Sequence, residues 1–171
     1  AHPPTWEVAI REDTAWSCAH GIERWRADCG CNSGGRPGWH QAWRRPLRDA
    51  LDWLRDRADA LLDTHGAALF HDPWAARDAY VEVLLGGAAA RAGFVAAHVR
   101  ATDAADRIRA LELMEMSRHA QSMYTSCGWF FDDLGGIETV QILQYAARVC
   151  ELGAAVGGAP LEPEFVDRIA A

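Results

Sequence analysis

Residues 41–63 read QAWRRPLRDALDWLRDRADALLD, and this stretch decides the fold. Leu47, Leu51, Leu54, Ala58 and Leu61 recur at alternating intervals of four and three. That spacing draws one apolar stripe along a helix. Arg48, Asp49, Asp52, Arg55, Asp56 and Asp59 fill the other faces. Opposite charges three or four residues apart support a solvated helix surface. Pro46 falls in or near the first turn, where a missing amide proton costs nothing. A helix with a single apolar stripe must bury it against other elements.

The same pattern continues downstream. Asp72-Pro73 is a helix start, a capping carboxylate followed by Pro, and predicts a helix to Leu85 that stops at Gly86-Gly87. Residues 88–99 are nearly all apolar around Phe94 and Val95 and predict a buried helix. Thr102 or Asp103 opens another to about Ser126, with Leu113, Met116, Ala120, Met123 and Cys127 on its stripe. After Gly135-Gly136 a helix over 137–152 turns Ile137, Val140, Leu143 and Ala147 inward, and a short helix follows Pro163. No stretch alternates as a strand would. The expected class is all-α: an antiparallel bundle of about five or six helices over 41–171.

Residues 1–40 differ. They hold Trp6, Trp16, Trp25 and Trp39 and three of the five cysteines. Residues 28–38 place four glycines and a proline in eleven positions, which excludes regular helix. This segment is expected to be irregular, with an extended hairpin at most. With 171 residues the chain is expected to form a single domain. It begins Ala1-His2-Pro3 with no initiator Met, so it reads as part of a longer protein.

Composition removes several function classes. Apolar residues make up 50% and charged residues 24%, ordinary for a globular chain. There are 17 basic and 24 acidic residues, for a net charge of −7, which argues against nucleic acid as a partner. Every basic residue is Arg, so this segment holds neither a Schiff-base lysine nor a P-loop lysine. No run of about 18 uncharged apolar residues is present, so no membrane-spanning helix is expected. Five cysteines in a domain of this size point to a reducing, cytoplasmic setting rather than a disulfide framework.

Two constellations carry chemistry. Cys18 and His20 form a C-x-H pair, and Cys29 and Cys31 a C-x-C pair. In extended backbone, residues two apart face the same way, so two such arms could close tetrahedrally on a zinc ion. The competing reading makes the cysteines small buried hydrophobes and His20 a hydrogen-bonded core residue. The second constellation is Met123 to Asp133, where Trp129, Phe130 and Phe131 precede Asp132 and Asp133. Aromatics beside carboxylates suit a sugar, whose apolar face stacks while its hydroxyls donate to the acids. The alternative is that the aromatics plug one end of the bundle. Glu23-Arg24 and Arg44-Arg45 are expected to be surface or interdomain pairs. Two turns of helix separate His119 from Cys127, so they are not expected to act as base and nucleophile.

The run Trp16-Ser17-Cys18-Ala19-His20-Gly21-Ile22-Glu23-Arg24-Trp25, then Asp28-Cys29-Gly30-Cys31, resembles a domain of unknown function numbered 3536. So do Met123 to Phe131, Gly136-Ile137-Glu138-Thr139-Val140-Gln141, Arg44-Arg45-Pro46-Leu47-Arg48 and Asp72-Pro73-Trp74-Ala75-Ala76-Arg77. The resemblance spans about residues 14–150. It implies a helical region C-terminal to a catalytic module similar to glycoside hydrolase family 57, whose members act on α-glucans. It also implies a retaining mechanism whose two carboxylates belong to the upstream barrel. No residue here inherits either role, so this segment alone is expected to be catalytically silent. By the same resemblance Trp129 is the candidate sugar-facing platform, Asp132 and Asp133 are hydroxyl acceptors, and Trp16 is a further contact. The implied partners are the barrel of the same polypeptide and a polysaccharide. The other reading is a zinc-stabilised structural or interaction module that touches no substrate.

Overall fold

The computed structural model describes residues 5–15 and 17–170. Among them the architecture is all-α, six helices packed together with no strand. The helices are α1 (Arg44–Leu69), α2 (Pro73–Ala79), α3 (Val81–His98), α4 (Ala104–Ser122), α5 (Ile137–Ala155) and α6 (Glu162–Ala170). Helix α1 is the axis. It lies against α4, α5, α6 and α2, while α4 and α5 also pack on each other. Among the described residues no single helix is long and apolar enough to cross a membrane.

The stripe predicted on α1 is the core. Leu47, Leu51, Leu54, Ala58 and Leu62 are buried, and Leu61 is partly so. The helix continues past the expected end to Leu69 because Gly66 lets Pro73, at the start of α2, close on it. A Cβ on Gly66 would sit 2.9 Å from the Pro73 ring. On the outer face Arg48 and Arg55 both reach Asp52, which also accepts the Tyr124 hydroxyl at 2.7 Å.

The α2–α3 region departs from expectation. Asp72 caps α2 through the amides of Trp74 and Ala75, as the sequence implies. The helix then ends at Ala79 rather than Leu85, and the chain turns by 89° into α3. Gly87 (φ 67°, ψ −147°) interrupts the helical backbone inside α3, so the expected stop at Gly86-Gly87 falls at a break between two helical stretches. The segment 88–99, expected to be buried, is mostly exposed apart from Phe94 and Val99. Its apolar residues are mainly alanines, which favour helix but offer little area to bury. Phe94 anchors it by meeting the Tyr80 ring edge-on at 5.3 Å.

Helix α4 starts on Asp103, whose carboxylate accepts from the Asp106 amide, and stops four residues short of the expected end. Leu113, Met116, Ala120 and Met123 are buried, but Cys127 lies beyond the helix and is exposed. In α5 the expected inward face is rotated. Ile142, Ala146, Val149 and Cys150 are buried, whereas Ile137 is 81% exposed and Val140 and Ala147 are also exposed. The sequence of α5 is apolar on more than one face, so periodicity alone leaves its rotation open. Gly128 settles it: Ile142 occupies the space where a side chain there would go.

Among its described residues the segment before α1 forms no hairpin. It holds an isolated Ala15–Cys18 bridge and a 3₁₀ turn at Glu23–Trp25. A second 3₁₀ turn, Ser126–Trp129, joins α4 to the loop before α5. Trp129 is 0% exposed and stacks on Trp43 at 6.2 Å, closing the end of the bundle.

Gly128→Ala should therefore lower stability by about 1–3 kcal/mol through overpacking against Ile142. Trp129→Ala should cost about 3–5 kcal/mol by emptying that end of the core. Urea unfolding monitored by circular dichroism checks both. A midpoint equal to wild type for either variant contradicts the packing described.

Candidate metal centre

Local turns bring the thiols together. Asp28 accepts the Gly30 amide at 2.9 Å, and Gly30 takes a positive φ of 76°. This folds the C-x-C pair so that Cys29 and Cys31 face one point. On the other arm Gly21 has φ 68° and lies so close to the Asp13 carbonyl that a Cβ would meet it at 2.7 Å. That close approach turns the chain just after His20.

The ligand atoms of Cys18, His20, Cys29 and Cys31 all lie within 4.8 Å of one another, so the four could hold a metal ion. Cys18 Sγ is 3.7 Å from His20 Nδ1 and 4.0 Å from Cys31 Sγ, while Cys31 Sγ is 3.6 Å from the same nitrogen. Tetrahedral zinc with ordinary Zn–S and Zn–N bonds gives S–S edges of about 3.8 Å and S–N edges of about 3.6 Å. The separations among Cys18, His20 and Cys31 fit those edges, and Cys29 Sγ lies within 4.8 Å of the other three ligand atoms. They exclude a disulfide, whose sulfurs lie about 2 Å apart, and all the described cysteines are free. Burial pushes the Cys18 thiol up, but hydrogen bonds from the His20 amide and ring and from the neighbouring thiols outweigh it and bring it down to about 7. The Cys31 thiol moves the other way, raised by its hydrogen bond with Cys29 and by burial.

Behind the thiols is a layer of polar side chains. Cys29 Sγ donates to Gln41 Oε1 at 3.3 Å, and Arg44 Nη1 lies 3.9 Å from the same sulfur. Arg44 also donates to Gln41 and to the carbonyls of Phe130 and Phe131. Arg24 donates to the Phe130 carbonyl at 2.8 Å and to that of Ser17. Gln41 Nε2 donates to Asp132 Oδ1, and Ser33 donates to Oδ2 through both its amide and its hydroxyl. Burial raises the Asp132 carboxyl, but the Ser33 and Gln41 hydrogen bonds bring it below the usual carboxylate range.

The sequence-based candidates separate here. The four candidate ligands Cys18, His20, Cys29 and Cys31 are brought together. Trp129 is wholly buried, so no face of its indole is open for stacking on a sugar in this chain. Its place between Trp43 and Arg48 is that of a plug. Asp132 is buried with both oxygens engaged, and Asp133 accepts the Gly135 amide and shapes the turn. Trp16 lies outside the described residues. Arg24 and Arg44, expected at a surface or interdomain contact, are among the most buried charged groups described. Periodicity could have shown this for Arg44. It sits three residues before Leu47 on the apolar stripe, and Gln41 sits three before that. Cys127 and Cys150 stay apart from the cluster, and burial pushes the Cys150 thiol up to about 11.

Other aromatics reach the surface here, Phe131 exposed and Trp39 partly so. Trp39 and Phe131, with Ser33, Asp133 and Glu138, line a shallow cavity of about 250 Å³. Neither Trp39 nor Glu138 stood out in the sequence as a contact residue.

No curated protein and no solved structure matches the chain. Residues 39–171 match the family described as a domain of unknown function, DUF3536. The match takes in all six helices and begins after the four candidate ligands. Covering most of the chain as it does, it makes this protein a member of the DUF3536 family.

Proposed function

We propose that the chain is a zinc-stapled, non-catalytic helical module that serves as the C-terminal accessory region of a glycoside hydrolase family 57-like enzyme. In this reading it helps to shape the enzyme's α-glucan cleft. The observation that carries the zinc assignment is the convergence of three thiols and one imidazole, with their ligand atoms all within 4.8 Å of one another. A Cys₃His set is a structural zinc donor set, with no ligand position left for substrate. The enzyme assignment rests on the resemblance carried by the motifs from Trp16 to Gln141.

Zinc would tie an irregular segment to the bundle. The segment contributes all four ligands, meets α1 through the contacts of Arg44 with Cys29 and of Arg48 with the Trp25 carbonyl, and holds the 130–133 loop through Arg24, Ser33 and Gln41. The loop presents Phe131 beside Trp39, Asp133 and Glu138. An aromatic pair flanked by carboxylates suits a sugar ring better than the buried Trp129 does.

Purified under reducing conditions, the protein should carry close to one zinc per chain by elemental analysis. A strong chelator should lower its melting temperature, because metal binding free energy is folding free energy here. Binding should weaken as pH falls, since protons compete with the metal for the thiols. Absence of zinc under those conditions removes the staple. In the full-length enzyme, Trp39→Ala and Phe131→Ala should reduce turnover of α-glucan severalfold while leaving the chelator-free melting temperature close to wild type. Unchanged turnover in both removes the cleft assignment.

A further inference from the structure

Two arginines without a carboxylate partner sit beside the thiol cluster. Arg44 is 0% exposed and Arg24 is 5% exposed. Both guanidiniums donate to the one Phe130 carbonyl oxygen, so two like charges are held side by side. Among the described residues neither forms an ion pair, and the Nε of each lacks a hydrogen-bond partner. The buried anion nearby is Asp132, whose oxygens are taken by Gln41 and Ser33 rather than by either arginine. Two cations and one anion leave one buried positive charge over. An uncompensated buried charge is strongly destabilising.

The missing charge is on the other side of Arg44. Its Nη1 points at Cys29 Sγ from 3.9 Å. Three neutral thiols and an imidazole offer no compensation. A divalent ion held by three thiolates and a neutral imidazole carries a net charge of −1. We infer that Arg44 is the buried counter-charge of an anionic tris-thiolate zinc centre, and that through Gln41 and the Phe130 and Phe131 carbonyls it couples metal occupancy to the 130–133 loop. This inference rests on the zinc reading above. It adds that the shell is tuned to a monoanionic centre and that Arg44 acts by charge as well as by shape. Arg44 is a positioning residue: it touches one ligand sulfur and leaves the coordination sphere to the other side chains. Outer partners of this kind are worth about 10- to 100-fold in metal affinity.

The test measures zinc dissociation constants for the 171-residue chain by competition with a chromophoric chelator. Arg44→Met should weaken zinc at least about tenfold, at the low end of that range. Arg44→Lys, which keeps the charge and loses the planar fork, should recover most of the loss. Asp132→Asn removes a negative charge from the same shell and should tighten zinc severalfold, a change opposite in sign to that of R44M. A merely structural role predicts that R44K and R44M weaken zinc alike and that D132N weakens it too, and that pattern overturns the inference. Should R44M fail to fold, D132N decides alone: tighter binding supports the counter-charge, and equal or weaker binding overturns it. Wild-type affinity in R44M overturns the inference while leaving the zinc centre standing. A wild-type chain that binds no zinc overturns both.

Discussion

One backbone oxygen, that of Phe130, receives two guanidinium groups from different parts of the chain. Arg24 comes from the 3₁₀ turn of the N-terminal segment and Arg44 from the first turn of α1. The oxygen itself belongs to the loop between α4 and α5. Three regions remote in sequence therefore meet at a single acceptor. Charge-assisted hydrogen bonds of this kind are roughly twice as strong as neutral ones, and they demand a fixed geometry. The thiol cluster, the Gln41–Asp132 pair and the Trp43–Trp129 stack all lie around this meeting point.

The bundle behind this joint is held differently. Its stability comes from apolar burial along α1, α4 and α5, where leucine, methionine and alanine side chains fill the interior. The polar joint adds specificity at one end of that core. It fixes how the irregular segment sits, and by closing over Trp129 it keeps water from the end of the stripe. The joint also gives a short, glycine-rich segment a defined shape that its own sequence could not hold by packing.

Much of this was legible in the residues. The stripe from Leu47 to Ala58 and the Asp72 cap could be read directly, and the start of α4 to within Thr102 or Asp103, because capping and periodicity act locally. The thiol and imidazole ligands were also visible, since the C-x-H and C-x-C spacings are themselves short-range. What failed depended on long-range packing. The rotation of α5 was set by contact between Gly128 and Ile142, which no window of one helix contains. The run 88–99 looked like core because it is apolar, but alanine is too small to force burial. Trp129 and Phe131 are two residues apart, and nothing local distinguishes the plug from the exposed ring. Arg44 was hidden by its neighbour: Arg44-Arg45 reads as a surface pair until the helical phase is followed back from Leu47.

The bonds across the joint span large separations in sequence. Arg24 and the Phe130 carbonyl are 106 residues apart, Ser33 and Asp132 are 99, and Gln41 and Asp132 are 91. Bringing the ends of a flexible loop of that length together costs about 4 kcal/mol of chain entropy. That cost falls once, on whichever contact closes the loop first. Every later contact across the joint forms between groups already neighbours and is nearly free of it. A set of individually modest bonds thus behaves as a cooperative latch, whose members hold together or release together.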